Sequence, residues 1–445
     1  MWERLKSWLL AALVMMSLVL TFTIWTSIPT NGPIDQPTIL TTVSYGRDKT
    51  VNQLVFPDQI IAHFGANKHA VLRPQSDGYA SILRELQKSS IYDIKPIQFT
   101  NEEWKRAVNG HSIEMQFSWD VPFDIVSHLF PGIKIVETKP TCRRIFITAD
   151  SNFQNMRIIF MNIHNVGTSS YIAHVNMAGE SFATLLHQLQ SKEPNYVLYG
   201  FTMEQSYYLP ERQLQLPIYT YRLESFNVDQ LTNSFFVDPS LTKKINERDG
   251  SFIKTDGSRG VSFSPQLARV QFTDPVTNWK NEAVLPEKQI GQAITFANDH
   301  GGIPDYSQIS MENPNYSVGP DSTYTIQEYI DGIPVEGALG SIQVRLQGNE
   351  VTEFQRSDLY LGMQMKKSFQ NALSASELLD RLTKGQSISE NSITQIMLVF
   401  LPIRNDKKQM QLEPVYKITQ SSGGIHYVDA LSGTLLDQEA KHGLE

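Results

Sequence analysis

Ten scattered histidines, one cysteine and a few closely spaced aspartates are the residues of this 445-residue chain best able to do chemistry. His63 and His69 stand six apart in a loop-like stretch, which is not a spacing that zinc sites use, so surface or loop histidines are expected. Asp299-His300-Gly301-Gly302 could hold a metal, but no second ligand pair is near, and the two glycines mark a turn. Asp120 and Asp124 flank Pro122. Paired carboxylates can hydrolyse glycosides only across a cleft of defined width, and turn or cap roles are commoner for aspartate. The hexapeptide Thr255-Asp256-Gly257-Ser258-Arg259-Gly260 suits either an anion-binding nest or a tight hairpin turn, and the turn is the favoured reading. H-E-x-x-H, G-x-S-x-G, Walker A and dinucleotide motifs are all absent from the sequence. No catalytic residue, cofactor site or metal site is therefore expected. A lone Cys142 rules out an internal disulfide, a four-cysteine zinc site and CxxC redox chemistry. It suits an exported protein whose cores are large enough to need no staples.

Elements that would carry a binding role are easier to find. The run LLAALVMMSLVLTFTIWTSI, residues 9–28, has no charge. About 20 helical residues span the ~30 Å hydrocarbon core of a bilayer. Arg4 and Lys6 precede the run, and the next basic residue is Arg47, so residues 1–8 are expected in the cytoplasm and the rest outside. Trp8 and Trp25 sit near its ends, where indoles prefer the interface. The run is longer than a signal peptide's, ends in bulky residues, and has no cysteine close behind it, so an uncleaved transmembrane helix is expected. Ser17 and Thr21 lie four apart on one face, and small hydroxyl residues can contact a partner helix or bond their own backbone. The net charge of −8 leaves no nucleic-acid footprint and disfavours anionic wall polymers or lipid head groups.

The remainder, 19% charged and 41% hydrophobic, has globular composition and is too long for one core. The expected organisation is α+β: largely antiparallel sheets with a few packed helices, in sequential domains after the single helix. Residues 29–44 hold three prolines and read as a stalk. Residues 45–154 form a mixed α+β domain, with an amphipathic helix at 76–88 and a strand marked by alternate Ile113, Met115 and Phe117. Residues 155–300 carry one helix, 178–190, and then an antiparallel meander turned at Asp249-Gly250 and Asp256-Gly257. Residues 301–320 read as a linker, and 321–445 as a C-terminal α+β domain whose helix starts at a Ser374/Glu377 capping box.

Two stretches carry a resemblance. SLVLTFTIWTSIP looks like the anchor of the YycH family. FFVDPSLTKKINERDGSFIKTDGSRGVSF resembles the stretch that most marks that family: F-x-D-P-S at Phe236, Asp238, Pro239 and Ser240, a D-G turn at Asp249-Gly250, and T-D-G-S-R-G at Thr255, Asp256, Gly257, Ser258, Arg259 and Gly260. Lys254 departs from the aromatic expected before T-D-G. The C-terminal Y-I-D-G-I-P-V and Y-V-D-A-L-S-G are similar, more loosely, to PepSY-type modules. The YycH resemblance implies a regulator rather than an enzyme, in the membranes of Gram-positive bacteria. Its implied partners are a WalK-like (YycG) sensor histidine kinase, which controls cell-wall homeostasis, and a YycI-like single-pass membrane protein. Contacts would run through the membrane helices, and a homo-oligomer is possible. The PepSY-like similarity implies the alternative, an exported inhibitor or chaperone of a peptidase or wall hydrolase.

Overall fold

The structure, a computed structural model, describes residues 2–26, 46–127, 129–130, 141–150, 152–162, 170–200, 202–275, 285–312, 321–385, 388–406 and 408–436. The chain divides into two units, Met1–Thr41 and Thr42–Glu445. In the first, α1 (Trp2–Thr26) is one continuous helix. Trp8, Leu9, Leu10, Leu13 and Leu18 are exposed on it. Among the described residues no helix is long and apolar enough to cross a membrane. The end of the expected anchor, 27–28, and the expected stalk, 29–44, lie outside the described residues.

In the second unit, helices α2 (Val51–Leu54), α3 (Asp77–Lys88), α4 (Asn101–Asn109), α5 (Phe123–Val126), α6 (Gly179–Lys192), α7 (Val228–Asn233), α8 (Pro286–Asp299) and α9 (Ala375–Gly385) pack on three antiparallel sheets. Sheet one takes β1 (Gln59–Phe64), β2 (His69–Leu72), β3 (Ser90–Ile97), β4 (His111–Pro122), β5 (Thr141–Ala149), β6 (Met156–Met161), β7 (Ser170–Asn176), β8 (Tyr196–Tyr199) and β9 (Tyr207–Pro210), in the order β3-β7-β6-β5-β4-β1-β2-β8-β9. Sheet two joins β10 (Leu214–Ser225) to β20 (Leu359–Ala372), β21 (Ile393–Asp406), β22 (Gln409–Gln420), β23 (Ile425–Asp429) and β24 (Leu435–Leu436). Sheet three joins β11 (Lys243–Asn246), β12 (Phe252–Thr255), β13 (Gly260–Ser264) and β14 (Arg269–Thr273) to β15 (Ser307–Met311), β16 (Asp321–Ile330), β17 (Ile333–Pro334), β18 (Ser341–Gln347) and β19 (Glu350–Ser357). The sheet-rich α+β expectation is met.

Local signals act as their chemistry dictates. Ser76 caps α3 by accepting from the Tyr79 amide, and Tyr79, Ile82 and Leu86 are buried one turn apart. Ser374 and Glu377 close the capping box of α9, whose Leu378 and Leu382 enter the core of sheet two. Phe182, Leu185, Leu186 and Leu189 of α6 enter the core beside sheet one, which runs on into that of sheet three through Ile290, Ala293 and Ile294 of α8.

The sheets do not follow the expected sequential partition. Sheet one runs through the 154/155 boundary, ending at Pro210. Much of the expected linker is structured, because β15 pairs with β16, and β14 pairs with β19 across it. Residues 313–320 lie outside the described residues. β10, expected in the middle domain, pairs instead with β20 and β22. Gly, Pro and Asn content reports local backbone freedom, whereas strand pairing is non-local and leaves no such mark.

Candidate functional site

Sheet one has two chemically different faces. Ile60 and Ala62 of β1 lie opposite Met115 and Ile113 of β4 and face the apolar core. By the two-residue period, Gln59, Ile61, His63, Glu114 and Gln116 face the other way. There His63 and His69 are paired across β1 and β2, both fully buried, with Nδ1 to Nδ1 at 2.8 Å. The Leu198 amide donates to Asn67 Oδ1 at 3.2 Å, and His69 Nε2–H donates to the same oxygen at 2.9 Å. Burial, helped by His63, holds His69 far below the ordinary range, at about 3, so it stays neutral. Its Nδ1 is then the acceptor, and His63 Nδ1–H donates to it.

His63 Nε2 lies 3.4 Å from Glu114 Oε2, and Arg144 Nη1 lies 3.2 Å from Glu114 Oε1. Gln116 and the Tyr208 hydroxyl also donate to Glu114, at 2.8 and 3.0 Å. Burial alone would raise the Glu114 carboxyl, but Arg144, His63 and Gln116 overcome it and hold it near 2. Arg144 bonds Ser206 as well, at 3.1 Å. The loop-histidine expectation is thus corrected: these two histidines belong to a buried polar network, in which His63 Nε2 faces Glu114 without a hydrogen-bond partner among the described residues. The signal available in sequence was the polar half of the strand alternation, Glu114 and Gln116 between Ile113, Met115 and Phe117.

Beside this network a cleft of about 640 Å³ opens between sheet one and sheet two. Arg73, Arg143, Arg144, Tyr196 and Tyr208 line one side, residues 394–398 of β21 and Tyr416 the other, and Tyr329 and Gly332 one end. Gly332 sits in the Asp331-Gly332 turn between β16 and β17, with φ +73°. A Cβ there would meet the Pro74 carbonyl at 2.0 Å, so only glycine lets this turn close on sheet one. In the cleft wall the Asp58 carboxylate accepts from the Ser118 amide and from the Tyr329 hydroxyl at 3.1 Å. Burial raises it to about 6 against the pull of these donors and of Arg143.

Asp120 is buried, neither carboxylate oxygen has a hydrogen-bond partner among the described residues, and burial raises it to about 6 against Arg143. The side chain of Asp124 lies outside the described residues. Asp120 pushes the buried Cys142 thiol further up, after burial itself. His300 ends α8, bonds the Phe296 carbonyl at 2.7 Å and stacks on Phe235 and Phe296, with burial lowering its pKa. Among the described residues no cluster of three metal-ligating side chains occurs.

The motif residues lie on the β11–β13 hairpins and in the short turn just before β11. Asp238 caps a short 3-10 turn begun by Pro239, accepting from the Ser240 amide at 2.9 Å. Asp249-Gly250 turns β11 into β12, and Asp249 accepts from the Ser251 amide at 3.0 Å. Asp256 accepts from the Ser258 and Arg259 amides at 2.9 and 2.8 Å, and Gly257 takes φ +99°. Thr255 pairs with Gly260, so this is the β12–β13 hairpin turn. Arg259 reaches Asp274 at 2.9 Å. Lys254 is buried and donates to Asn233 Oδ1 at 2.7 Å and Thr232 Oγ1 at 3.1 Å, which explains a cation at that position. On α1, Thr21 Oγ1 donates to the Ser17 carbonyl at 2.9 Å.

Fold and site together define an antiparallel α+β protein with a polar cleft backed by a buried ion network. The chain belongs to the YycH family: the family's N-terminal domain matches residues 3–185 and its C-terminal domain residues 204–429. It is 23% identical over 443 residues to the two-component system WalR/WalK regulatory protein YycH of Bacillus subtilis (strain 168), covering 93% of this chain and 94% of that one. The crystal structure of YycH from Bacillus subtilis superposes with a TM-score of 0.67 at 19% identity, over 86% of this chain and 98% of that one.

Proposed function

We propose that this chain is a membrane-anchored, non-catalytic regulator of a WalK-type sensor histidine kinase. Residues 9–28 anchor it in the cell membrane, with residues 1–8 in the cytoplasm and the sheets outside. It acts beside a YycI-like single-pass protein, through contacts between membrane helices that include the Ser17/Thr21 face. The observation that carries this reading is the likeness, over nearly the whole of both chains, to a protein named as a WalR/WalK regulatory protein. The uncharged run at 9–28 and its flanking Arg4 and Lys6 support the topology. A regulator of this kind shifts a kinase between two states only by binding one better than the other.

The test replaces residues 9–28 with an unrelated membrane-spanning sequence and reads a WalR-dependent reporter. The reading predicts loss of regulation with the sheet unit still folded. Normal reporter output from the swapped chain contradicts the helix-contact mechanism.

A further inference from the structure

The cleft between sheets one and two is built from two sheet edges. β9 ends sheet one and pairs only with β8 among the described strands. Among the described strands β21 forms a ladder only with β22, apart from one bridge at Phe400. Which way the main-chain groups of β21 point follows from two bonds. The Phe400 carbonyl accepts from the Glu336 amide at 2.8 Å, away from β22. Its cross-strand partner Pro414 has no amide to give and turns its own carbonyl to Ala430. Phe400 is therefore an outward-pointing position, and so, by the two-residue period, are Leu398 and Ile396. The register from Gln395 to Arg404 has no shift that would reverse them. Pro402, two residues the other way, falls in the same outward set, where the missing amide costs nothing.

This edge is already used once within the chain. Val335 and Phe400 form a parallel bridge, and Glu336 bonds Phe400. One step along, Leu398 and Ile396 face the cleft, and no backbone bond to either on that side occurs among the described residues. On the opposite wall, Glu211 bonds Asn195, which makes Tyr208 and Pro210 the outward positions of β9. Between the two edges Arg73 reaches the Tyr196 hydroxyl at 3.1 Å but has no carboxylate within ion-pairing distance among the described residues.

We propose that this cleft binds an extended peptide from a partner protein, which adds to the free edge of β21 at Ile396 and Leu398 and places an acidic side chain against Arg73. Main-chain bonds supply the affinity, continuing the ladder begun at Glu336. The tyrosines and Arg73 supply the selectivity, through ring faces and a charge-assisted bond. Edge strands are otherwise blunted by charge or proline, and between Thr394 and Leu398 this one carries neither. The site is a property of the chain itself and stands whichever kinase or partner the chain regulates.

The probe is a phage-displayed library of random linear peptides, panned on the full-length chain in lipid nanodiscs. The expected result is enrichment of peptides with a carboxylate and without proline at alternate positions. Arg73→Glu weakens them roughly tenfold or more, as loss of one charge-assisted contact requires. N-methylation of the central amides of an enriched peptide abolishes binding, a readout independent of the fold of any variant. In amide exchange, Ile396 and Leu398 are fast in the free chain and protected by the peptide, whereas Gln395 and Met397, bonded to β22, are slow in both. Enriched peptides that leave Ile396 and Leu398 exchange unchanged, or that bind as well after N-methylation, overturn the proposal. So does a panning that enriches nothing above an unrelated protein.

Discussion

The buried network on sheet one and the hairpin turns of sheet three both centre on a carboxylate that accepts several hydrogen bonds, yet they work in opposite ways. At the Thr255-to-Gly260 turn every partner of Asp256 is within three residues, and the side chain is exposed. The acid's own neighbours satisfy it, and water screens what remains. At Glu114 the partners come from four other strands or their flanks: His63, Arg144, Tyr208 and, behind His63, His69. That group is out of water and depends on all of them at once. The first kind of site is robust and local, and the second is costly to disturb and built by the whole sheet.

The largest predicted effect follows from that contrast. Glu114→Ala leaves Arg144 buried without its carboxylate, and removing one member of a buried pair costs about 3–5 kcal/mol. Chemical denaturation at neutral pH should show that loss or outright failure to fold. A loss under about 1 kcal/mol would mean the network is water-accessible and worth no more than a surface pair.

Asp58 tests the electrostatics of the cleft wall. Its carboxyl is raised from 3.8 to about 6, so the folded state keeps the proton longer than the unfolded one. The stability it contributes is full below pH 3.8 and is lost as pH rises through about 6. That loss amounts to at most ~3 kcal/mol, less whatever screening the cleft provides. Asp58→Asn should therefore flatten stability between pH 4 and pH 7 relative to the parent chain. Asp120, raised in the same window, supplies a parallel loss that remains in the variant. An unchanged difference curve would show that Asp58 is solvated.

The smallest effect belongs to the exposed turn. Asp256→Ala removes two backbone acceptor bonds and one to the Ser258 hydroxyl, all solvent-exposed, for about 0.5–1.5 kcal/mol. Thermal unfolding measures it, and a drop as large as that of Glu114→Ala would erase the comparison.

The same contrast explains what the sequence made legible. The capping box at Ser374, the helix faces of α3 and α6, and the D-G turns are readable because each involves residues within a few positions. The family resemblance rested on such local runs too. The histidine pair is six residues apart in sequence, but its meaning comes from Glu114 and Tyr208, far along the chain. The pairing of β10 with β20, and of β14 with β19, likewise joins residues 80 or more positions apart, which no local period encodes. Lys254 looked like a departure until Asp229, Thr232 and Asn233 surrounded it.

The central claim, regulation of a WalK-type kinase through the membrane, is tested most directly by crosslinking the full-length chain in its native membranes and identifying what it carries by mass spectrometry. The account predicts recovery of a sensor histidine kinase together with a second single-pass protein. Recovery of peptidases or cell-wall hydrolases without the kinase would contradict it.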